Sequence, residues 1–399
     1  MRPLLVLDVV GFTPRLLRER APRLRALFER GFAAPMSAVL PALTCPAQAT
    51  MLTGLLPRDH GIVGNGWYFR DLAEVLFWRQ SNALVAGERV WEEARRRDPS
   101  VTCAKLFWWF NLYSSADLAV TPRPYYPADG RKIPGIYASP PDLEADLTER
   151  LGTFPLFRFW GPGAGLVSTE WIAACAKRVL ERHAPSLTLV YLPHLDYDFQ
   201  RFGPDDPRAL AAVGAVDAVA SDLATAWRER GAEVVVVSEY GIGPVAGWVA
   251  PNRALRESGI RRARPTPHGE LLDAGASRAF AVCDHQVAHI YVREPADRPR
   301  ARAALLALPG VEAVLGEEEK RAAGLDHPRA GELLAVAARD RWFAYPYWFD
   351  DAAAPDFART VDIHRKPGYD PAELFLDPGR PFVKARIAWR LLQKALGLR

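Results

Sequence analysis

LTLVYLPHLDYDFQRFGP, residues 187–204, sets a short, mostly apolar run directly against a polar and acidic cluster. The same arrangement occurs twice more: Leu4 to Leu7 precede Asp8, and Val234 to Val237 precede SEYG at 238–241. Helical periodicity flanks these runs at Pro14 to Arg30, Thr169 to His183 and Pro207 to Arg230. Strands of this kind alternating with helices predict an α/β fold, a parallel sheet covered on both faces. Ligands of such sheets bind beyond the carboxyl ends of the strands. The three polar clusters are therefore expected along one edge.

The chain has 399 residues, 49% of them hydrophobic and 25% charged, which suits a large buried core. No Gly/Ser linker or charge block divides it, so residues 1–399 read as one domain carrying insertions. Residues 112–165 are rich in Pro, Gly and aromatics and read as a long loop over the active-site edge. Residues 255–345 read as a small α+β insertion, with AFAVCDHQVAHIYV as a strand, ARAALLAL as a helix and ELLAVAA as another strand. The segment PFVKARIAWRLLQKALGLR predicts a basic amphipathic helix over about 381–397. Packing on the core is its expected role, with contact to a membrane surface the alternative.

A net charge of +4 with arginine spread along the chain fits an anionic small molecule and gives no basic run for a nucleic acid polymer. Asp8 interrupts the N-terminal apolar run, which therefore reads as a first strand. No stretch reaches the roughly 20 apolar residues of a transmembrane segment, and a cytoplasmic location is the expectation. Cys45, Cys103, Cys175 and Cys283 lack CxxC spacing and read as buried free thiols.

The most informative stretch is LPALTCPAQATMLTGLLPRDHGIVGNGWY, residues 40–68. A threonine opening a helix sits beside unsatisfied backbone N–H groups that favour an anion. A plain helix cap for Thr44 and an Asx turn for Asn65 are the structural alternatives. The stretch resembles the nucleophile region of the nucleotide pyrophosphatase/phosphodiesterase branch of the alkaline phosphatase superfamily. That resemblance implies a mostly parallel sheet sandwiched by helices, with Thr44 attacking phosphorus to form a phospho-threonine. Asn65 would donate to a phosphate oxygen.

The resemblance also implies one or two divalent metal ions. Asp8 matches an aspartate ligand after the first strand, and Thr44 is a ligand as well as the nucleophile. In SEYGI, Glu239 and Tyr240 stand where the family has aspartate and histidine. Asp196 matches a second aspartate, with Asp198 close by as an alternative, but Gln200 stands where histidine belongs. In DIHRKPGYDP, His364 takes the position of the last histidine ligand. An oxygen-rich set suits Mn²⁺ or Mg²⁺ at least as well as Zn²⁺. His194, two residues before Asp196, and the pair His285 and His289 are further candidates for the metal or the substrate.

The implied function is metal-dependent hydrolysis of phosphate esters or phosphodiesters. The partner would be a small phosphate ester or diester, with nucleotides and lipid phosphates both candidates. FWWFNLY at 107–113 and RWFAYPYWF at 341–349 could wall such a ligand or simply pack in the core. A non-catalytic anion-binding protein of the same fold is the main alternative, followed by a phosphonate hydrolase or a phosphomutase. The oligomeric state is not legible.

Overall fold

Six strands form the central sheet of the computed structural model, which describes residues 2–29, 31–377 and 379–396. They are Leu4–Val9 (β1), Cys103–Leu106 (β2), Leu118–Pro122 (β3), Ile136–Ser139 (β4), Leu187–Leu192 (β5) and Glu233–Val237 (β6), in the order β4-β3-β2-β5-β1-β6. Every neighbouring pair is parallel except β3 and β4. Asp8 near the end of β1 lies opposite Tyr191 on one side and Val237 on the other. The polar clusters after β1, β5 and β6 therefore share one edge, as the sequence implied.

Four helices matter for the site and its support: Thr44–Thr53 (α1), Leu166–His183 (α2), His194–Phe202 (α3) and Pro207–Arg228 (α4). The run 14–30 is two helices, Pro14–Arg20 and Pro22–Phe28, because Pro22 has no N–H to continue the first. α4 is long and apolar enough to cross a membrane by length and composition, contrary to the expectation, but half of that stretch is buried inside the protein. Its buried Asp217 accepts from the N–H groups of Arg23 and Leu24 at 3.0 and 2.8 Å, capping the neighbouring helix.

Residues 112–165 are not one loop. They supply β3, β4 and the helix Pro141–Leu151, so much of the segment belongs to the central layer. Strands of four or five residues bounded by prolines are too short to show a period. β2 was hidden differently, because its four residues CAKL include a lysine. Lys105 is buried, with Nζ donating to the carbonyls of Trp109 and Phe110 at 2.7 and 3.0 Å. Phe107, Trp108 and Phe110 are buried, as are Phe343, Tyr345, Tyr347 and Trp348, so both aromatic stretches serve mainly as core. All four cysteines are free and buried.

The insertion holds a four-stranded sheet of Ala279–Asp284 (β7), Val287–Val292 (β8), Val311–Leu315 (β9) and Leu333–Ala337 (β10), ordered β7-β8-β10-β9. AFAVCDHQVAHIYV is thus a hairpin and not a single strand. His285, at a φ of 59°, and Gln286 make its turn. The C-terminal helix Val383–Ala395 (α5) does not pack on the core: Ile387, Trp389, Leu391 and Leu392 are exposed.

Replacing Asp217 by Ala leaves two helix N–H groups without their buried acceptor. It is expected to lower unfolding free energy by about 2 kcal/mol, measured by urea denaturation, with little change in the slope of the transition.

Candidate active site

Thr44 is the first residue of α1, and six of the nine helix residues after it are buried. The helix closes at Gly54, whose φ of 69° lets its N–H reach the carbonyl of Thr50 at 2.8 Å. This places the Thr44 hydroxyl beyond the carboxyl ends of β1 and β6, 3.3 Å from the Tyr240 hydroxyl and beside Glu239.

Asp8 and Glu239 converge there from β1 and from just past β6, both almost wholly buried. Between them lies the amide of Gln48, one helical turn beyond Thr44 on the same face of α1. Its Nε2 donates to Asp8 Oδ2 at 3.2 Å and to Glu239 Oε1 at 2.5 Å, and its Oε1 accepts from Trp109 N–H at 2.7 Å. The other two carboxylate oxygens, Asp8 Oδ1 and Glu239 Oε2, are buried and have no hydrogen-bond partner among the described residues. Burial, reinforced by the neighbouring Glu239 charge, holds Asp8 well above the usual aspartate range. Burial also raises Glu239 to about 7. Two acids this close in a dry site do not both ionise readily at neutral pH.

Asp196 joins from the first turn of α3. Its Oδ1 accepts from the Tyr240 hydroxyl at 3.1 Å and its Oδ2 from Gln200 Nε2 at 2.7 Å, and burial raises its pKa. Gln200 Oε1 in turn accepts from the Tyr369 hydroxyl. The Tyr369 ring stacks on His285, centroids 3.6 Å apart. Tyr240, Gln200 and His285 are the members of this group that reach solvent, each half-buried.

On the far side of Thr44, Asn65 Oδ1 accepts the Cys45 N–H at 3.0 Å, holding the start of α1. The backbone N–H and Nδ2 of Asn65 donate to Asp284 at 2.8 and 3.2 Å, and Asp284 also contacts His285 Nδ1 at 2.9 Å. Gly66 follows because the Phe77 ring fills the space of a side chain: a Cβ there would stand 2.3 Å from it.

Thr44, Asn65, Asp8, Asp196, Glu239, Gln200, Tyr240 and His285 are thus brought together. Three other candidates are not. His364 is exposed and approaches the Phe77 carbonyl at 3.4 Å, with Arg79, Lys132 and Asp362 as its charged neighbours. The motif instead delivers Tyr369. Its N–H bonds the Cys283 carbonyl at 2.8 Å, and Gly368 packs so tightly that a Cβ would meet Tyr345 at 2.6 Å. His194 lies on a helix, not an extended segment. Two residues apart on a helix point in nearly opposite directions, and His194 faces Tyr197 and Asp198, away from Asp196. His289 is buried in β8 with both ring nitrogens engaged by the backbone of Val63 and Gly331. It does not share a strand with His285.

Gln48, Asp284 and Tyr369 were missed in the sequence. Gln48 carries the signal of i,i+4 spacing from Thr44, and Asp284 ends an apolar run as Asp8 does. Among the described residues, no group of three or more His, Cys, Asp or Glu side chains is arranged to hold a metal ion. A cleft of about 930 Å³ runs behind residues 238–241 along the open edge of β6, and neither Thr44, Asp8 nor Asp196 lines it.

The mostly parallel sheet with helices on its faces is the alkaline-phosphatase-like fold, and here a helix-initial threonine lies among carboxylates at its strand ends. The chain belongs to the type I phosphodiesterase/nucleotide pyrophosphatase family, a family of phosphate ester hydrolases, which it matches over residues 4–370. It is 25% identical over 248 residues to an uncharacterized pyrophosphatase/phosphodiesterase of Schizosaccharomyces pombe, covering 59% of this chain and 42% of that protein. The chain thus spans less than half the length of that curated relative. Among solved structures, phosphonoacetate hydrolase from Sinorhizobium meliloti 1021 in complex with phosphonoformate superposes with a TM-score of 0.63 at 19% identity, covering 89% of this chain and 85% of that one. An inactive form of murine ectonucleotide pyrophosphatase/phosphodiesterase 5 in complex with AMP does so with a TM-score of 0.58 at 18% identity, covering 93% and 85%.

The raised acids make stability pH-dependent. Glu239 binds its proton more tightly folded than unfolded, so its stabilisation is complete below pH 4.5 and is lost as pH rises through about 7; Asp8 acts in the same direction. Without added cation, Tm is expected to fall across that window and to fall less steeply in Glu239→Gln, as followed by thermal denaturation. Equal slopes would refute the assignment.

Proposed function

We propose that the chain hydrolyses phosphate esters or phosphodiesters of small molecules, with Thr44 as the nucleophile. The observation that carries this reading is the placement of one hydroxyl, at the start of a buried helix, against Tyr240 and beside the buried Glu239. Glu239, beside the hydroxyl and with its carboxyl raised by burial, is placed to accept the Thr44 proton as the hydroxyl attacks phosphorus. The ester oxygen leaves, and water then cleaves the phospho-threonine, returning the proton. Asn65 commits one Nδ2 hydrogen to Asp284, which leaves the second to meet a phosphate oxygen.

Asp8, Glu239 and Thr44 fit one divalent cation. Two buried carboxylate oxygens there lack any partner, and the donors are all oxygen, which favours Mg²⁺ or Mn²⁺ over Zn²⁺. When bound, such an ion would supply charge to stabilise the threonine alkoxide and the phosphoryl oxygens. Asp196 fits a second ion less well, since Gln200 and Tyr240 already donate to both of its oxygens.

That last feature, with the Gln48 amide lodged between Asp8 and Glu239, favours the second reading, a member that binds phosphate without turning it over. Purified protein assayed with bis-p-nitrophenyl phosphate across Mg²⁺, Mn²⁺ and Zn²⁺ separates the two. Hydrolysis is expected, stimulated most by Mg²⁺ or Mn²⁺, with Thr44→Ala losing at least about a thousandfold and Asn65→Ala about a hundredfold. Retained anion binding without turnover under every metal would instead establish the binding protein.

A further inference from the structure

We infer that α5 is an interfacial helix that docks the protein on an anionic phospholipid surface. Its sequence VKARIAWRLLQKA contains four basic residues and no acidic one. At 3.6 residues per turn, Arg386, Arg390 and Gln393 fall along one side. Ile387, Leu391, Leu392 and Trp389 spread over the other, with Lys384 among them, whose long stem can carry its charge up to the headgroups of a helix lying in that plane.

Both faces lack a partner among the described residues. Trp389 is 58% and Leu391 64% exposed, with Ile387, Leu392 and Leu396 also exposed, and Phe382 at the helix start is 82% exposed. None of Lys384, Arg386 and Arg390 has a carboxylate partner among the described residues. An apolar protein groove would cover one face and leave the cations unanswered. A bilayer with anionic lipid answers both, its acyl boundary taking Trp389 and the leucines and its phosphates the arginines.

The helix also leaves the core beside the candidate active site. Leu374 is buried, and its carbonyl accepts from Arg201 of α3 at 3.3 Å, while Glu373 accepts from Trp160 Nε1 at 2.8 Å. A short exposed link carrying Phe375 and Leu376 follows. Docking through α5 would therefore keep the α3 side of the protein close to the membrane.

The full chain is tested by flotation with vesicles of phosphatidylcholine alone and of phosphatidylcholine mixed with phosphatidylglycerol, at low and high salt. The variants are Arg386→Glu/Arg390→Glu and Trp389→Ser/Leu392→Ser. Both alter exposed residues, so Tm is expected to match the parent, and hydrolysis of a soluble ester is scored separately so that failure of the proposed activity does not bear on the result. Binding is expected only with phosphatidylglycerol, reduced at least about tenfold by the charge reversal or by high salt, and lost in the apolar variant. Equal binding to both vesicles, no flotation, or a solution dimer that dissociates in Trp389→Ser/Leu392→Ser would overturn the inference.

Discussion

Two carboxylates, Asp8 and Glu239, are sealed at the end of the central sheet with an amide wedged between them and one oxygen of each left unsatisfied. An arrangement of this kind costs free energy unless a proton or a cation is shared between the acids. The sheet enforces it. Asp8 lies in register with Tyr191 and Val237, and two residues beyond Val237 the chain delivers Glu239 to the same edge. Thr44 and Tyr240 then face the pair, so the state of these two acids governs the threonine hydroxyl.

Support for the pair extends outward through hydrogen bonds. Lys105, desolvated by burial until its pKa drops to about 7, holds the Trp109 carbonyl; Trp109 N–H holds Gln48, and Gln48 holds both acids. On the other side, Asp284 at the tip of the β7–β8 hairpin fixes Asn65, which fixes the start of α1. The insertion is thereby part of the site. One of its turn residues, His285, stacks on Tyr369, and Tyr369 reaches Gln200 beside Asp196.

The polar residues around Asp196 form a connected group. Tyr240, Gln200 and Tyr369 lie along one run of hydrogen bonds through Asp196 that reaches Thr44, while Glu239 is tied to Asp8 through Gln48. Neutral donors in that run satisfy Asp196, whereas the Asp8–Glu239 side keeps open oxygens. Under the proposed function, such an asymmetry would favour one cation over two, because a carboxylate already bonded by protein donors has less to offer an ion.

The sequence by itself determined the α/β class, the three long strands and the shared edge, because apolar runs ending in acids have one reading in a covered parallel sheet. Its resemblance to a known family also marked Thr44, Asn65, Asp8, Asp196 and Glu239, which the fold brings to one edge. Tertiary structure alone decided the rest. β2 was obscured by a lysine that only the Trp109 and Phe110 carbonyls make tolerable, and β3 and β4 are too short to carry a period. His194 and His289 were turned away by a helix start and a strand pairing, and Tyr369 was chosen over His364 by the close packing of Gly368. Which side chain faces which is set by register and packing between segments far apart in the chain, and no local pattern encodes that.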